Sequence, residues 1–552
     1  MAGEAEFDFI IIGAGSAGCV LANRLSSDPA NRVLVIEAGP EDRGWKIHMP
    51  AALAEPMKDT QYNWWYETEP QQNLDGRRVY WPRGRVLGGS SSINGMVYVR
   101  GHALDYDRWA GEGARGWSYA DVLPYFRKAQ THESGPDSYR GGDGPLRVRT
   151  GAAVNPLHCA WLKAGRQAGY PISEDMNGYQ QEGLAHMQMT VHKGRRQSTA
   201  VTYLRPVMGR PNLTVVTEAM TDRIVVHSRC AVGVEYRRWG SRTLARATRE
   251  VIVASGSING PQLLMLSGIG NADDLRPLGI PVVHHLPGVG ANLQDHLECY
   301  VQYACTQPVT LYPVLKPLGR LRVGIEWLLF NSGLGASNHF EAGGFIRSRA
   351  GVQHPDLQYH FFPMVKKYYD TEAATGHGFQ AHIGPMRSPS RGYLKLRSAN
   401  PDEHPIIDPR YMSEPADWEE FRAGVRLTRE IFAQTAFDPF RGAELQPGPH
   451  VTSDADIDAF LRKHAESAYH PCGTCKMGVD PMAVVDPECR VHGLEALRVV
   501  DASIMPSVPS GNLNAPTIMI GEKAADMILG RPALPPSNAP TWVNPDWRTK
   551  QR

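Results

Sequence analysis

Residues 7–12 (FDFIII) form an unbroken apolar run of strand length, the pattern of a strand buried on both faces. Residues 19–25 (CVLANRL) follow a helical period, and residues 32–37 (RVLVIE) make a second apolar strand that ends on a carboxylate. Strand, helix and strand in this order predict a βαβ unit. Far downstream, residues 497–500 (LRVV) read as another short strand closed by Asp501. A last helix is expected to begin near Pro516, a residue suited to the first helical position.

The turn leaving the first strand is Gly13-Ala14-Gly15-Ser16-Ala17-Gly18, a G-x-G-x-x-G. Gly13 permits the tight turn, Gly15 lets a pyrophosphate approach the backbone, and Gly18 lets the helix pack on the strand. The helix N-terminus at Ser16 offers free N–H groups to the phosphates. Glu37 lies 19 residues beyond Gly18. There, with Ala38 after it, its carboxylate can accept both hydroxyls of an adenosine ribose and would repel a phosphate. The unit therefore specifies a dinucleotide and leaves NAD and FAD open.

Charge and composition narrow the partners. Lys plus Arg total 58 against 57 for Asp plus Glu, a net charge of +1, so no one-sign field points to nucleic acid or another polyanion. Apolar residues make up 42% and charged residues 21%, without an apolar run of the ~18–20 residues that cross a bilayer, which suits a soluble globular enzyme. The acidic start MAGEAEF shows no basic region or cleavage signal, and eight scattered cysteines make no disulfide framework, so a cytoplasmic protein is expected. The 552 residues suggest three or four domain-sized units, at about 100–200 residues each.

Residues 83–95 (RGRVLGGSSSING) bring a second cluster, with Gly88, Gly89, Ser90, Asn94 and Gly95, followed by apolar residues 96–99 (MVYV). Small residues so flanked suit backbone passing close to a flat ring or a diphosphate, where a solvent loop would need none of this. The stretch resembles the first signature of the glucose-methanol-choline (GMC) oxidoreductases, FAD enzymes that oxidise alcohols. The likeness runs nearly end to end. Gly256-Ser257 and Pro261 with Ser267-Gly268-Ile269-Gly270 are similar to the second signature, although Gly260 stands where a hydroxyl residue is usual. It continues through Pro287-Gly288-Val289-Gly290, Asn292-Leu293-Gln294-Asp295-His296, His470-Pro471 and Val500-Asp501-Ala502-Ser503.

That resemblance implies an α/β protein, α+β overall, in which two domains interleave. A Rossmann-like FAD-binding domain would comprise 1–155, 196–300 and 465–530, and an antiparallel-sheet substrate-binding domain 156–195 and 301–464. Residues 531–552, proline-rich with Trp542 and Trp547, would form an extended tail over the body. A peripheral membrane contact on the inner face of the cell membrane is entertained for this tail. Ile93 stands where some members carry the histidine that tethers flavin, so noncovalent FAD is implied. Residues 337–345, 386–392 and 470–475 resemble choline-oxidising members, while the N-terminal third also resembles bacterial aliphatic alcohol dehydrogenases. The implied reaction takes choline to betaine aldehyde, and through its hydrate to glycine betaine, with a quinone or other respiratory electron acceptor. Oxidation of aliphatic or aromatic primary alcohols is the alternative, and a non-redox flavin-containing lyase the distant one.

Alcohol oxidation by hydride transfer needs a proton acceptor at the hydroxyl and the carbon held against the hydride acceptor. Among 20 histidines, His470 matches the family's catalytic histidine. Asn512 matches its second catalytic position, Asn514 is assigned to the flavin edge, and Asp501 to the ribityl chain. The structural alternatives are two helix-capping asparagines and a turn-forming aspartate. Cys472 and Cys475 make a C-x-x-C without a second pair, so packing beside His470 is expected and no metal. Choline's trimethylammonium has no N–H to donate, so its site needs aromatic faces and a carboxylate. The candidates are Trp64, Phe340, Glu341 and Tyr469.

Overall fold

The computed structural model describes residues 5–365 and 376–552. Two seven-stranded sheets organise them. In the first, Ala5–Ile12 lies parallel to Val33–Ile36, with Ile12 opposite Ile36, and parallel to the end of Ser241–Val253, with Ile12 opposite Val253. Leu213–Val216 extends the parallel set beyond Val33–Ile36, and Leu497–Val499 extends it beyond Ser241–Val253. The start of Ser241–Val253 turns away into an antiparallel meander with Cys230–Arg238 and Ala219–His227. The parallel strands are buried on both faces, which is why they read as continuous apolar runs. Helices Ser16–Leu25 and Asn514–Ile528 cover one side, with Gly521 against Ala17 and Val20.

These five parallel strands come from the start, the middle and the end of the chain, yet their C-terminal ends at Ile12, Ile36, Val216, Val253 and Val499 share one rim. Ligands bind such sheets at that rim.

The second sheet is antiparallel throughout, in the order Arg441–Gln446, Leu297–Cys305, Gly378–Pro385, Leu357–Phe362, Ala342–Ile346, Gly183–His186, with Glu466–Ser467 paired at the start of Leu297–Cys305. One face packs on helices Pro156–Gln167 and Pro415–Phe432 through Trp161, Phe361, Phe379 and Phe432. The other face carries Glu298, Tyr300, Gln358, His360 and His382 toward the first sheet's rim. The strand Leu297–Cys305 starts ahead of the expected boundary at 301.

Two local expectations change. The last helix is Asn514–Ile528, so Pro516 is its third residue rather than its first. Proline fits there because the first turn's N–H groups have no partner within the helix. Its cap is Leu513, without a side-chain hydrogen bond, so neither asparagine caps it. The tail runs extended over the body. Ser537 N donates to Ala120 O, Trp542 N donates to Tyr179 O, and Trp547 O accepts from Gly351 N.

Candidate active site

The rim opens into one long cavity that runs from Glu37 and Ala38, past Gly13, Gly15 and Ser16, along Gly89–Gly95, to His470, Asn512 and Asn514. The two glycine clusters meet there. Gly88 N donates to Ala14 O at 2.7 Å, and a Cβ on Gly89 would stand 2.8 Å from Gly15 Cα. Gly18 lies outside the lining and serves packing, since a Cβ there would sit 1.9 Å from Gly13 O. Gly88 is likewise behind the wall, against Ser92 and Ala200.

Glu37 accepts from Ala14 N and Gly39 N, both at 2.9 Å, which fixes its carboxylate at the cavity's end. Burial pushes its carboxyl up to about 7, against those two hydrogen bonds and Arg85. Asp501 accepts from Gly256 N and Ser503 N, each at 2.8 Å, and so ties two strand ends while lining the cavity. Ser16 Oγ donates to Asn514 Oδ1 at 2.8 Å, leaving the Asn514 NH2 as the remaining donor. The buried Arg196 holds Asn94 Oδ1 at 2.8 Å. Ser90 Oγ accepts from Gly84 N at 3.1 Å. Ile93 is buried among Ile47, Met57 and Val86 and presents no nucleophile. A carboxylate at one end, a glycine cradle in the middle and amide donors at the other fit FAD.

At the far end the hydrogen bonds fix the protonation of His470. His296 Nε2 lies 3.0 Å from Met386 O, which can only accept, so His296 Nδ1 carries the lone pair. His470 Nδ1 lies 3.1 Å from that atom and must donate to it. Its Nε2 is then unprotonated, 3.1 Å from Asn512 Nδ2, which donates. Gln358 Nε2 donates to Asn512 Oδ1 at 3.1 Å, and that sets the amide's orientation. Burial, with His296, His360 and Arg83 nearby, lowers the His470 imidazole well below the usual range and keeps it neutral. Its backbone is held as well, with His470 N donating to Asp295 Oδ1 at 2.7 Å. Asp295 also accepts from Ser467 Oγ at 2.5 Å and from Tyr411 OH.

The carboxylate facing this end is Glu298, which the sequence reading passed over although it stands two residues beyond the quoted Asp295-His296. Burial pushes its carboxyl up, but His382, 3.1 Å away, and His360 outweigh that and keep it below the usual carboxylate range. Glu298 and His360 line the cavity with Phe340, whose ring lies 5.9 Å from that of His360.

Glu341 does not line it. Its neighbour Phe340, just ahead of the strand Ala342–Ile346, takes the inward position. Glu341 instead accepts from Ala153 N at 2.7 Å and Ser337 Oγ at 2.5 Å, bracing two loops. Trp64 and Tyr469 line the cavity, but the Arg85 guanidinium already stands 5.2 Å over the Trp64 ring. Cys472 and Cys475 are buried thiols pushed up by that burial.

Two sequence profiles described as GMC oxidoreductase match residues 7–298 and 388–521. The chain is 60% identical over 549 residues to a mitochondrial choline dehydrogenase of Mus musculus, covering 98% of this chain and 92% of that protein. It is 56% identical over 549 residues to an oxygen-dependent choline dehydrogenase of Brucella ovis, covering 99% and 100%. Among solved structures it is similar to a pyridoxine 4-oxidase from Mesorbium loti, with TM-score 0.87, 33% identity and coverage of 95% and 100%. A formate oxidase of Aspergillus oryzae gives TM-score 0.90, 28% identity and coverage of 96% and 99%.

Proposed function

The chain belongs to the GMC oxidoreductase family and is an FAD-dependent alcohol oxidoreductase, and from that premise we propose that it oxidises choline to betaine aldehyde, and onward to glycine betaine through the aldehyde hydrate. The observation that carries the substrate is Glu298, an ionised carboxylate walled by Phe340 and His360 in the cavity that holds His470 and Asn512. A buried carboxylate without a permanent cationic neighbour is costly, and choline's trimethylammonium supplies the charge it lacks.

Bound FAD supplies the hydride acceptor. His470 Nε2, held unprotonated by the His296 hydrogen bond, takes the hydroxyl proton. Asn512 turns its NH2 to the same oxygen and stabilises the alkoxide as it forms. Burial disfavours an isolated imidazolium, so proton transfer is coupled to the alkoxide beside it. Glu37 would hold the adenosine ribose, Gly13, Gly15 and Ser16 the pyrophosphate, Gly89, Ser90, Asn94 and Gly95 the isoalloxazine side, and Asp501 and Asn514 the ribityl and ring edge. The cofactor is noncovalent in this reading, because Ile93 offers nothing to bond with. Acid precipitation would then release all flavin into the supernatant.

Anaerobic mixing with choline should bleach the flavin far faster than with hexanol or with dimethylbutanol, choline's uncharged isostere. Equal rates would overturn the substrate. The acceptor in this reading is a quinone, reached at the cytoplasmic face of a membrane. A short-chain quinone should support turnover under nitrogen, and faster turnover with oxygen alone would overturn it.

A further inference from the structure

Among the described residues no helix is long and apolar enough to cross a membrane. The 14-residue helix Pro317–Phe330 nevertheless carries its apolar residues on the wrong side for a core helix. Leu318 (82%), Leu321 (59%), Leu328 (65%), Leu329 (67%) and Phe330 (71%) are exposed, as is Ile325. At about 100° per residue, Leu318, Leu321, Ile325, Leu328 and Leu329 share an arc about 100° wide. Val323 and Trp327 occupy the opposite side and are buried with Met49 and Ala52. The helix is therefore held to the body by one narrow stripe and offers a second, wider stripe to its surroundings. Single exposed leucines need no explanation, but a contiguous stripe of this kind does.

Charge selects what covers it. Lys316, Arg320 and Arg322 are exposed on the helix and at its start, while Glu326 is its one carboxylate. The adjoining hairpin adds exposed Lys193 and Arg195, clamped on by Trp327 Nε1 donating to Gly194 O at 2.7 Å and by Arg195 lying 5.3 Å over the Trp327 ring. Arg322 borders the apolar stripe and the other four cations stand on the helix start and the flank toward the body, five cations against one acid on these two elements. A second copy of the chain would bring like charges together, whereas an anionic lipid surface satisfies both the stripe and these cations.

We propose that the outer face of Pro317–Phe330 docks flat on an anionic phospholipid bilayer, with Leu318, Leu321, Ile325, Leu328 and Leu329 among the acyl chains and Lys193, Arg195, Lys316, Arg320 and Arg322 at the headgroups. At about 21 Å the helix is too short to span the hydrocarbon core and suits an interfacial position. The site differs from the C-terminal tail, which is bonded to the body. It also deepens the quinone reading, and in that respect rests on it. The helix packs on Met49 and Ala52, and Leu53 and Met57 of the same stretch line the flavin cavity, so docking sets that wall beside the lipid.

Holoenzyme should co-sediment with phosphatidylcholine–phosphatidylglycerol vesicles and not with phosphatidylcholine alone, and high salt should release it. The double variant Leu321→Ser, Leu328→Ser should bind at least about tenfold more weakly while keeping its flavin spectrum and its choline turnover with a water-soluble dye. Arg320→Glu with Arg322→Glu should lose binding similarly. Unchanged sedimentation of these variants, or no wild-type binding, would overturn the proposal. So would a concentration-dependent dimer that the leucine variant abolishes, which would assign the stripe to a second copy. Vesicle binding without use of a vesicle-embedded quinone would support docking and overturn the acceptor reading separately.

Discussion

Along Ala5–Ile12 every residue from Phe9 onward is apolar and buried, whereas along Leu357–Phe362 buried Leu357, Tyr359 and Phe361 alternate with Gln358 and His360. The difference is in what each sheet leaves to its ligand. The parallel sheet meets the cavity with backbone and turn residues beyond its strand ends, so its strands can be uniformly apolar. The antiparallel sheet meets it with side chains of one face, so that face is polar yet shielded from water. Its polar residues are satisfied by one another across strands, as in His382 with Glu298 and Gln302 with Gln380, or by the loop before the last helix, as in Gln358 with Asn512. A sheet face of this kind has the alternation of a solvent-exposed one.

The largest effect tests the meeting point of the two sheets. His470→Ala should lower turnover by about 10²–10⁴-fold with flavin retained, because only the proton acceptor is removed. Flavin bleaching that continues at the wild-type rate would sink the assignment. Next is the polar face itself. Glu298→Gln should raise the choline dissociation constant by about 30-fold or more, given the ~2–5 kcal/mol of a broken buried charge pair, and leave dimethylbutanol nearly untouched. A parallel loss for both alcohols would reduce Glu298 to a structural role.

Buried polarity also has a pH signature. Burial holds His296 and His360 at about 4. Unfolded histidine titrates near 6.5, so below that value the unfolded chain binds protons that the folded chain refuses. Stability is complete above the unfolded value and is lost as pH falls through this window. Thermal midpoints should drop between about pH 6.5 and 4, and His360→Gln should flatten the slope. The smallest effect belongs to the carboxylate that points away. Glu341→Gln should cost about 1 kcal/mol of stability through weakened hydrogen bonds and shift choline affinity less than about twofold. A tenfold loss would restore Glu341 to the cation site.

Much of the nucleotide half was legible because its chemistry is local in sequence. Gly13 to Gly18 and Glu37 lie within one βαβ unit, where the glycines shape the backbone and the carboxylate sits at a fixed distance that a short motif encodes. Glu298 was missed for the opposite reason. Nothing beside it in sequence marks it as facing a cavity, and its partners His360 and His382 arrive from other strands. Glu341 shows how local the choice is, since its neighbour Phe340 lines the cavity while its own carboxylate braces two loops outside it. His296 lay inside a quoted motif, but its control of the His470 tautomer depends on Met386 O, which no local pattern reveals.

The pairing of Leu497–Val499 with the end of Ser241–Val253 also orders events in time. On a ribosome, the early strands emerge long before this partner, and the entire antiparallel sheet is synthesised in the interval. Closing so long a loop is slow, and the wait leaves an apolar strand edge open. The positions proposed to hold the ribityl chain and ring edge, Asp501 and Asn514, reach the cavity only after that closure. Flavin capture would then come late in biogenesis, as the step that locks a nearly finished molecule and ends its need for chaperones.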